Sequence, residues 1–258
     1  ASITTNSTDT QGNVAISIAF SDLAGNAGDA VTATTNSSSV IYDRAVPTLS
    51  AVTVTSNNDN SAYAKEGDIV TLSFTSSENL QSDPTVTIDG NAATVSGSNT
   101  TWTAAYTMQS GDTEGDVNFT IDFLDLASNS GSRVTTLTSG DKIVYDETVP
   151  TLPTVDISSN NSNGATFAKV GDVITISVSA SENIQTPTVT IAGNAAAIAT
   201  GSNGERVYTA TYTMQSSDNT GVIPFTVDFS DMANNAGTQV TAVANDSDGG
   251  VTFDKQAP

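Results

Sequence analysis

The stretch Val117–Asn129, VNFTIDFLDLASN, decides how this chain is read. Val117, Phe119, Ile121 and Phe123 share one parity, while Asn118, Thr120 and Asp122 share the other. A period of two marks a half-buried β-strand with one face on a core. A polar turn follows, with Asp125 and Asn129 four residues apart. Two near-copies exist, Val14–Asn26 (VAISIAFSDLAGN) and Ile223–Asn235 (IPFTVDFSDMANN), which place Asp22/Asn26 and Asp231/Asn235 at the same spacing. Three copies of one strand and turn predict three copies of a domain, or parts of them.

A second repeated signal gives the period. Tyr42-Asp43-Arg44-Ala45-Val46-Pro47 returns as Tyr145-Asp146-Glu147-Thr148-Val149-Pro150 and as Phe253-Asp254-Lys255-Gln256-Ala257-Pro258. The prolines lie 103 and then 108 residues apart, the size of one β-sandwich domain. The expected division is therefore 1–46, 47–149 and 150–258. The middle repeat reads as seven strands, including Ile69–Thr75, Thr85–Ile88, Trp102–Met108 and the opening stretch. The last repeats it with small insertions. Pro224 has no amide donor, so a bulge or a strand start is expected beside it. Ala1 aligns with Ala104, so residues 1–46 supply only the last three strands, too few to close a sandwich. Either the chain is a piece of a longer array, or those residues pair with strands from another molecule.

The composition excludes much. The 258 residues carry a formal charge of -21, with Lys plus Arg at 7, Asp plus Glu at 28, and neither His nor Cys. Such a chain repels nucleic acid and anionic lipid. It offers no thiolate, no disulfide and no imidazole site. No apolar run is long enough to span a membrane. Ala1 is not a natural start, and the chain reads as a mature fragment or an excised piece. Trp102, Ala104, Tyr106 and Met108 share one strand face and should pack in or at the rim of a core. A glycan-binding platform would need Trp102, Tyr63 or Tyr208 turned outward. Asn-x-Ser/Thr triplets at Asn6, Asn36, Asn99, Asn118, Asn160 and Asn245 are the kind that such a composition produces by chance.

The acidic residues recur in register. If strands alternate direction as in a seven-strand sandwich, each inter-repeat linker meets two turns of the next repeat. That gathers Asp43, Glu78 and Asp125, with Asn79 and Asn129 beside them. It gathers Asp146, Glu182 and Asp231, with Asn183 and Asn235. Glu147 falls outside the pattern, because its counterparts are Arg44 and Lys255. Converging carboxylates with little basic compensation repel one another. A hard cation relieves that, and oxygen-only ligands on flexible turns favour Ca2+. The alternative reading is a set of turn-forming residues on a solvated surface. Asp68, Asp112, Asp172 and Asp218 form a second acidic group, which hairpin chemistry explains better than metal. Asp246 and Asp248 lie in the densest local oxygen cluster, residues 245–250, a secondary candidate for an ion that reads better as a one-off polar loop.

The segments Phe74-Thr75-Ser76-Ser77-Glu78-Asn79, Pro84-Thr85-Val86-Thr87-Ile88-Asp89-Gly90 and Asp125-Leu126-Ala127-Ser128-Asn129 resemble the bacterial immunoglobulin-like repeats of giant surface proteins. Asp22-Leu23-Ala24-Gly25-Asn26 is nearest to that family's Asp-x-x-Gly-Asn turn. Ser128 and Asn234 stand where the family has Gly, so those two turns are expected to differ in detail. The resemblance implies an all-β chain of tandem immunoglobulin-like β-sandwiches, seven strands each, joined end to end. It implies an extracellular array whose partners are neighbouring domains, often with calcium at the junctions. The expected function is structural, a stiff stalk, fibre or surface-layer element on a microbial cell. The alternative is an adhesion module that binds glycan or another surface directly. No catalytic site, nucleic-acid binding or membrane insertion is expected. Self-assembly by strand complementation of residues 1–46 is the remaining partner expectation.

Overall fold

The computed structural model describes residues 1–200, 205–243 and 250–256, and among them the regular structure is entirely β. Among the described residues seven small sheets are formed, and no helix is long and apolar enough to cross a membrane. The chain falls into two compact units. One comprises Ala1–Val54, Thr71–Tyr106 and Asn118–Asp141, and the other Thr55–Val70, Thr107–Val117 and Lys142–Pro258.

In the first unit Phe119–Asp122 pairs antiparallel with Thr85–Ile88, setting Phe119 opposite Ile88 and Ile121 opposite Val86. Thr85–Ile88 turns back onto Asn91–Ala92. The turn between them has positive φ at Asp89 and Gly90, 47° and 80°. Two left-handed residues in succession match the twist of a tight hairpin. Thr94–Ser98 pairs with Thr101–Thr107 at the edge of a four-stranded sheet that also holds Ile69–Ser76 and Leu49–Ser56. The expected alternation is obeyed: Val70, Leu72 and Phe74 are buried, as are Trp102, Ala104, Phe119, Ile121 and Phe123.

Residues 1–46 follow the same path more loosely. Gly12–Asn13 pairs with Ile41–Tyr42, and isolated bridges join Ile18 to Val31 and Ser21 to Ala27. Ile16, Ile18 and Phe20 nevertheless remain exposed.

The last repeat, in the second unit, is the fullest case. Its four-stranded sheet runs Thr154–Ser159, Val173–Ser179, Val207–Thr213, Ala197–Thr200, all antiparallel. Thr188–Ile191 lies between Asn194–Ala195 and Phe225–Asp228 in another sheet. Phe167–Ala168 runs parallel to Thr252–Phe253, which pairs in turn with Gly221–Val222. Ile174, Ile176, Val178, Tyr208, Ala210, Ile223, Phe225, Val227 and Phe229 close one apolar cluster. Each large side chain so buried contributes roughly 1.5–3 kcal/mol. Pro224 sits where the strand breaks: Gly221–Val222 belongs to one sheet and Phe225–Asp228 to another. The missing donor falls in the crossover, where no ladder partner is required.

One close approach recurs in all three repeats. A Cβ added at Gly28, Gly131 or Gly237 would lie 2.2–2.3 Å from the ring of Phe20, Phe123 or Phe229. The glycine lets the last aromatic of the strand fold flat against the returning chain.

Candidate metal centre

Each centre is built from three segments by the same local bonds. The turn comes first. Asp125 Oδ1 accepts the N–H groups of Ala127 and Asn129 at 2.8 and 2.7 Å, and Oδ2 accepts the Asn129 amide at 2.7 Å. Asp125 is fully buried. In the last repeat Asp231 accepts Asn235 N–H and Asn235 Nδ2, both at 2.8 Å, and is 1% exposed. The fourth position of each turn is left-handed, with φ 70° at Ser128, 66° at Asn234 and 89° at Gly25. The turns differ in side-chain bonds, since Ser128 Oγ accepts Gln81 Nε2 and Asn234 Oδ1 accepts Gln185 Nε2, but not in backbone hand. Ser128 and Asn234 take the glycine-like conformation, because the buried aspartate's bonds fix the turn.

The linker comes second. Asp43 Oδ1 accepts Ala45 N–H at 2.9 Å, Asp146 Oδ1 accepts Thr148 N–H at 3.1 Å, and Asp254 Oδ1 accepts Gln256 N–H at 2.9 Å. These are Asx turns, which orient the chain into the following segment. The Asn of the turn then reaches the linker. Asn129 Nδ2 donates to the Asp43 carbonyl at 3.3 Å, and Asn235 Nδ2 to the Asp146 carbonyl at 2.8 Å. Asn129 and Asn235 are thus at the centres as expected, but with their N–H groups turned to the aspartates. They bracket the carboxylates.

The third segment carries the glutamate. Ser77 and Thr48 exchange two bonds, Thr48 N–H to Ser77 Oγ at 3.0 Å and Ser77 N–H to Thr48 O at 2.9 Å. Ser181 and Thr151 repeat this at the same two distances, 3.0 and 2.9 Å. Glu78 and Glu182 come next in sequence and are half-buried. One carboxylate oxygen each from Asp43, Glu78 and Asp125 lie within 4.8 Å of one another, and the same holds for Asp146, Glu182 and Asp231. The residues that the sequence brings together on paper are together in space.

The electrostatics follow from that crowding. Burial, then Asp43 and Asp125, raise the Glu78 carboxyl above its usual range. Burial also raises Asp146, with Asp231 and Glu114 adding to it against the Thr148 N–H. Glu182 is raised by burial, Asp146, Asp231 and Glu114, with Arg206 opposing. Oxygen ligands around Ca2+ lie at about 2.3–2.6 Å, so opposed pairs stand up to about 5 Å apart, against about 4.2 Å for Mg2+. Three converging oxygens at this spacing can hold a hard cation.

Other expected residues have different roles. Asn79 and Asn183 are exposed, and Asn183 Oδ1 accepts Arg206 Nε at 3.1 Å. Asp68 accepts Asn58 Nδ2 and Lys65 N–H. Asp172 accepts Lys169 Nζ and N–H and Asn161 Nδ2, and the lysine hydrogen bond holds its carboxyl below the usual range. Asp112 accepts Gln109 N–H, and Asp218 accepts Gln215 N–H with Asn194 and Tyr212. These four caps are hairpin chemistry. Asp246 and Asp248 lie outside the described residues.

Glu114 escapes the sequence reading. Its Oε1 accepts Glu147 N–H at 3.1 Å and Thr148 Oγ1 at 2.7 Å, and it lines a cleft with Asp146, Thr148, Ser181 and Glu182. Its counterparts are Gln11 and Thr220, so a search for repeated acids passes over it. Gln11 holds the equivalent place, with Oε1 accepting Arg44 N–H at 2.8 Å. The aromatic platform does not form from Trp102 or Tyr208, which are 5% and 3% exposed.

No protein family profile matches the chain, and no curated protein matches it. A solved structure described as "Crystal Structure of Rst D1-D2" is similar at 11% identity and a TM-score of 0.35, covering 82% of this chain and 100% of that one. A likeness of that degree carries no argument about fold or function.

Proposed function

We propose that this chain is a structural segment of an extracellular array on a microbial surface, made of tandem immunoglobulin-like sandwiches that calcium stiffens at their junctions. The proposed repeats are 1–46, 47–149 and 150–258, each full copy a sandwich of the seven-strand type whose breaks leave ten shorter strands among the described residues. One observation carries the reading. Two carboxylate triads, each assembled from a linker, a strand-end turn and an Asp-x-x-x-Asn turn, occupy the same repeat positions. A cation there ties the linker to the pole of the sandwich that follows, so it resists bending. Stalks, fibres and surface layers need that mechanical property. Direct glycan binding has less support, because Trp102 and Tyr208 are buried. No enzymatic role is proposed.

The test is X-ray scattering with calcium and with chelator. The account expects a longer, stiffer particle with calcium, and superimposable profiles would count against it.

The same reading extends to residues 1–46. Ile16, Ile18 and Phe20 are exposed, whereas their counterparts Phe119, Ile121 and Phe123 are buried. We propose that strands outside residues 1–258, either from the same array or from another molecule, cover them. Amide exchange in the monomer should then be fast over residues 14–20 and slow over residues 119–123. Equal protection would refute this.

A further inference from the structure

We propose that the loop 160–169 is an end-on docking site for the Asp-x-x-x-Asn turn of a second copy of this chain. The template is inside the molecule. Asn58 Nδ2 donates to Ala233 O and Asn60 Nδ2 to Met232 O, both at 2.9 Å, and Lys65 Nζ donates to Asn234 O. Asn234 Nδ2 returns a bond to Asn58 Oδ1 at 2.8 Å. Three donors therefore meet the three successive carbonyls that the Asp231–Asn235 turn presents. The contact is intimate enough to leave Asn58 only 8% exposed.

The gripping loop is prepared by its own bonds. Asn58 Nδ2 and Lys65 N–H converge on Asp68 Oδ2, and Asn60 N–H is held by Asn58 Oδ1. The last repeat reproduces each one. Asn161 Nδ2 and Lys169 N–H converge on Asp172 Oδ2 at 2.6 and 2.8 Å, and Asn163 N–H is held by Asn161 Oδ1 at 2.9 Å. Asn161, Asn163 and Lys169 thus repeat the donor set of Asn58, Asn60 and Lys65. The Lys169 ammonium rests on Asp172 Oδ1 and its side chain is 68% exposed. Phe167 and Val170 beside it are 58% and 45% exposed.

The acceptor is also prepared. In the Asp22–Asn26 turn, Asp22 Oδ1 accepts Ala24 and Asn26 N–H groups, and Oδ2 accepts Asn26 Nδ2. Leu23, Ala24 and Gly25 stand where Met232, Ala233 and Asn234 stand in the occupied turn. Leu23 is fully exposed and gives Phe167 an apolar partner. Donor loop and acceptor turn are different surfaces, so the contact is heterologous and repeats head-to-tail from copy to copy. It uses no carboxylate of either triad, so it operates without a cation.

Sedimentation velocity on the full chain in chelator, up to about 1 mM, tests this at the strength expected of a few exposed hydrogen bonds. Moderate salt will screen the like charge of the copies. The sedimentation coefficient should rise with concentration. Asn163→Asp keeps the side chain's shape but exchanges its donor for an acceptor, and should lower the association constant at least tenfold. Amide resonances of Leu23–Gly25 should shift with concentration in the parent chain and not in the variant. A chain that stays monomeric, or association unchanged by Asn163→Asp, overturns the proposal. So does association lost in Phe20→Ser but kept in Asn163→Asp, which would place the contact on the open strand face instead.

Discussion

The two carboxylate triads share one backbone design and differ in charge. Around Asp43, Glu78 and Asp125 the strut that accepts the linker N–H is Gln11, a neutral amide. Around Asp146, Glu182 and Asp231 the same strut is Glu114, a fourth carboxylate. The geometric task of receiving one linker N–H is met either way. Glu114 adds field as well, and both Asp146 and Glu182 feel it. Position in a repeat thus sets which groups meet, and single substitutions set how strongly the site needs a cation.

Exchanging the struts should have the largest effect. Glu114→Gln removes one negative charge from the second centre and should weaken calcium there about fivefold to tenfold, the value of roughly 1 kcal/mol at partly exposed separations. Gln11→Glu should strengthen the first centre by a similar factor. Calorimetric titration of both variants separates the sites. If neither affinity moves, the fourth carboxylate is a linker support alone.

Proton linkage should be smaller and of fixed sign. Glu78, Asp146 and Glu182 are raised in the fold, so the folded state holds more protons than the unfolded one just above the ordinary carboxylate range. Stability of the cation-free chain from these groups therefore rises as pH falls from neutral into that window. It levels off below the unfolded values. Calcium affinity falls over the same window, because protons compete for the same oxygens. Chemical denaturation with chelator, from pH 7 to pH 4, checks the sign. Measured against a Glu78→Gln, Glu182→Gln variant, the parent should gain stability as pH falls, and a relative loss would contradict the sign for these groups.

The turns give the smallest effect. Ser128→Gly relieves a left-handed φ at the cost of an exposed bond from Gln81 Nε2, and should stabilise by about 0.5 kcal/mol. Asn234→Gly should gain less or lose, since Asn234 also donates to Asn58 Oδ1. Thermal unfolding of the two variants should rank them in that order. The reverse order would mean that the Asn58 and Gln185 bonds of Asn234 contribute less than the Gln81 bond of Ser128.

Repetition made the triads legible: an Asp before each linker proline and an Asp-x-x-x-Asn after each central strand fix two carboxylates of three. The same filter hid Glu114, whose copies are not acidic. It also hid the Asn58, Asn60 and Lys65 grip, because an Asn-rich loop has one appearance whether it faces water or three carbonyls. Alternation predicts which face of a strand can be buried, and it did so for Phe119 and Ile121. It cannot say whether a partner sheet exists, and Ile16 and Ile18 carry the same pattern into solvent. The glycine against each terminal Phe was visible as Gly28, Gly131 and Gly237, yet only the ring positions give it meaning.

The central claim is that these oxygens hold calcium. Calorimetric titration of the chelator-treated chain with calcium at neutral pH tests it most directly. The account predicts two binding events with dissociation constants on the order of 10⁻⁴–10⁻³ M, as in extracellular modules with few charged ligands, and the stronger event lost in Asp231→Asn. An isotherm indistinguishable from dilution at millimolar calcium would contradict it.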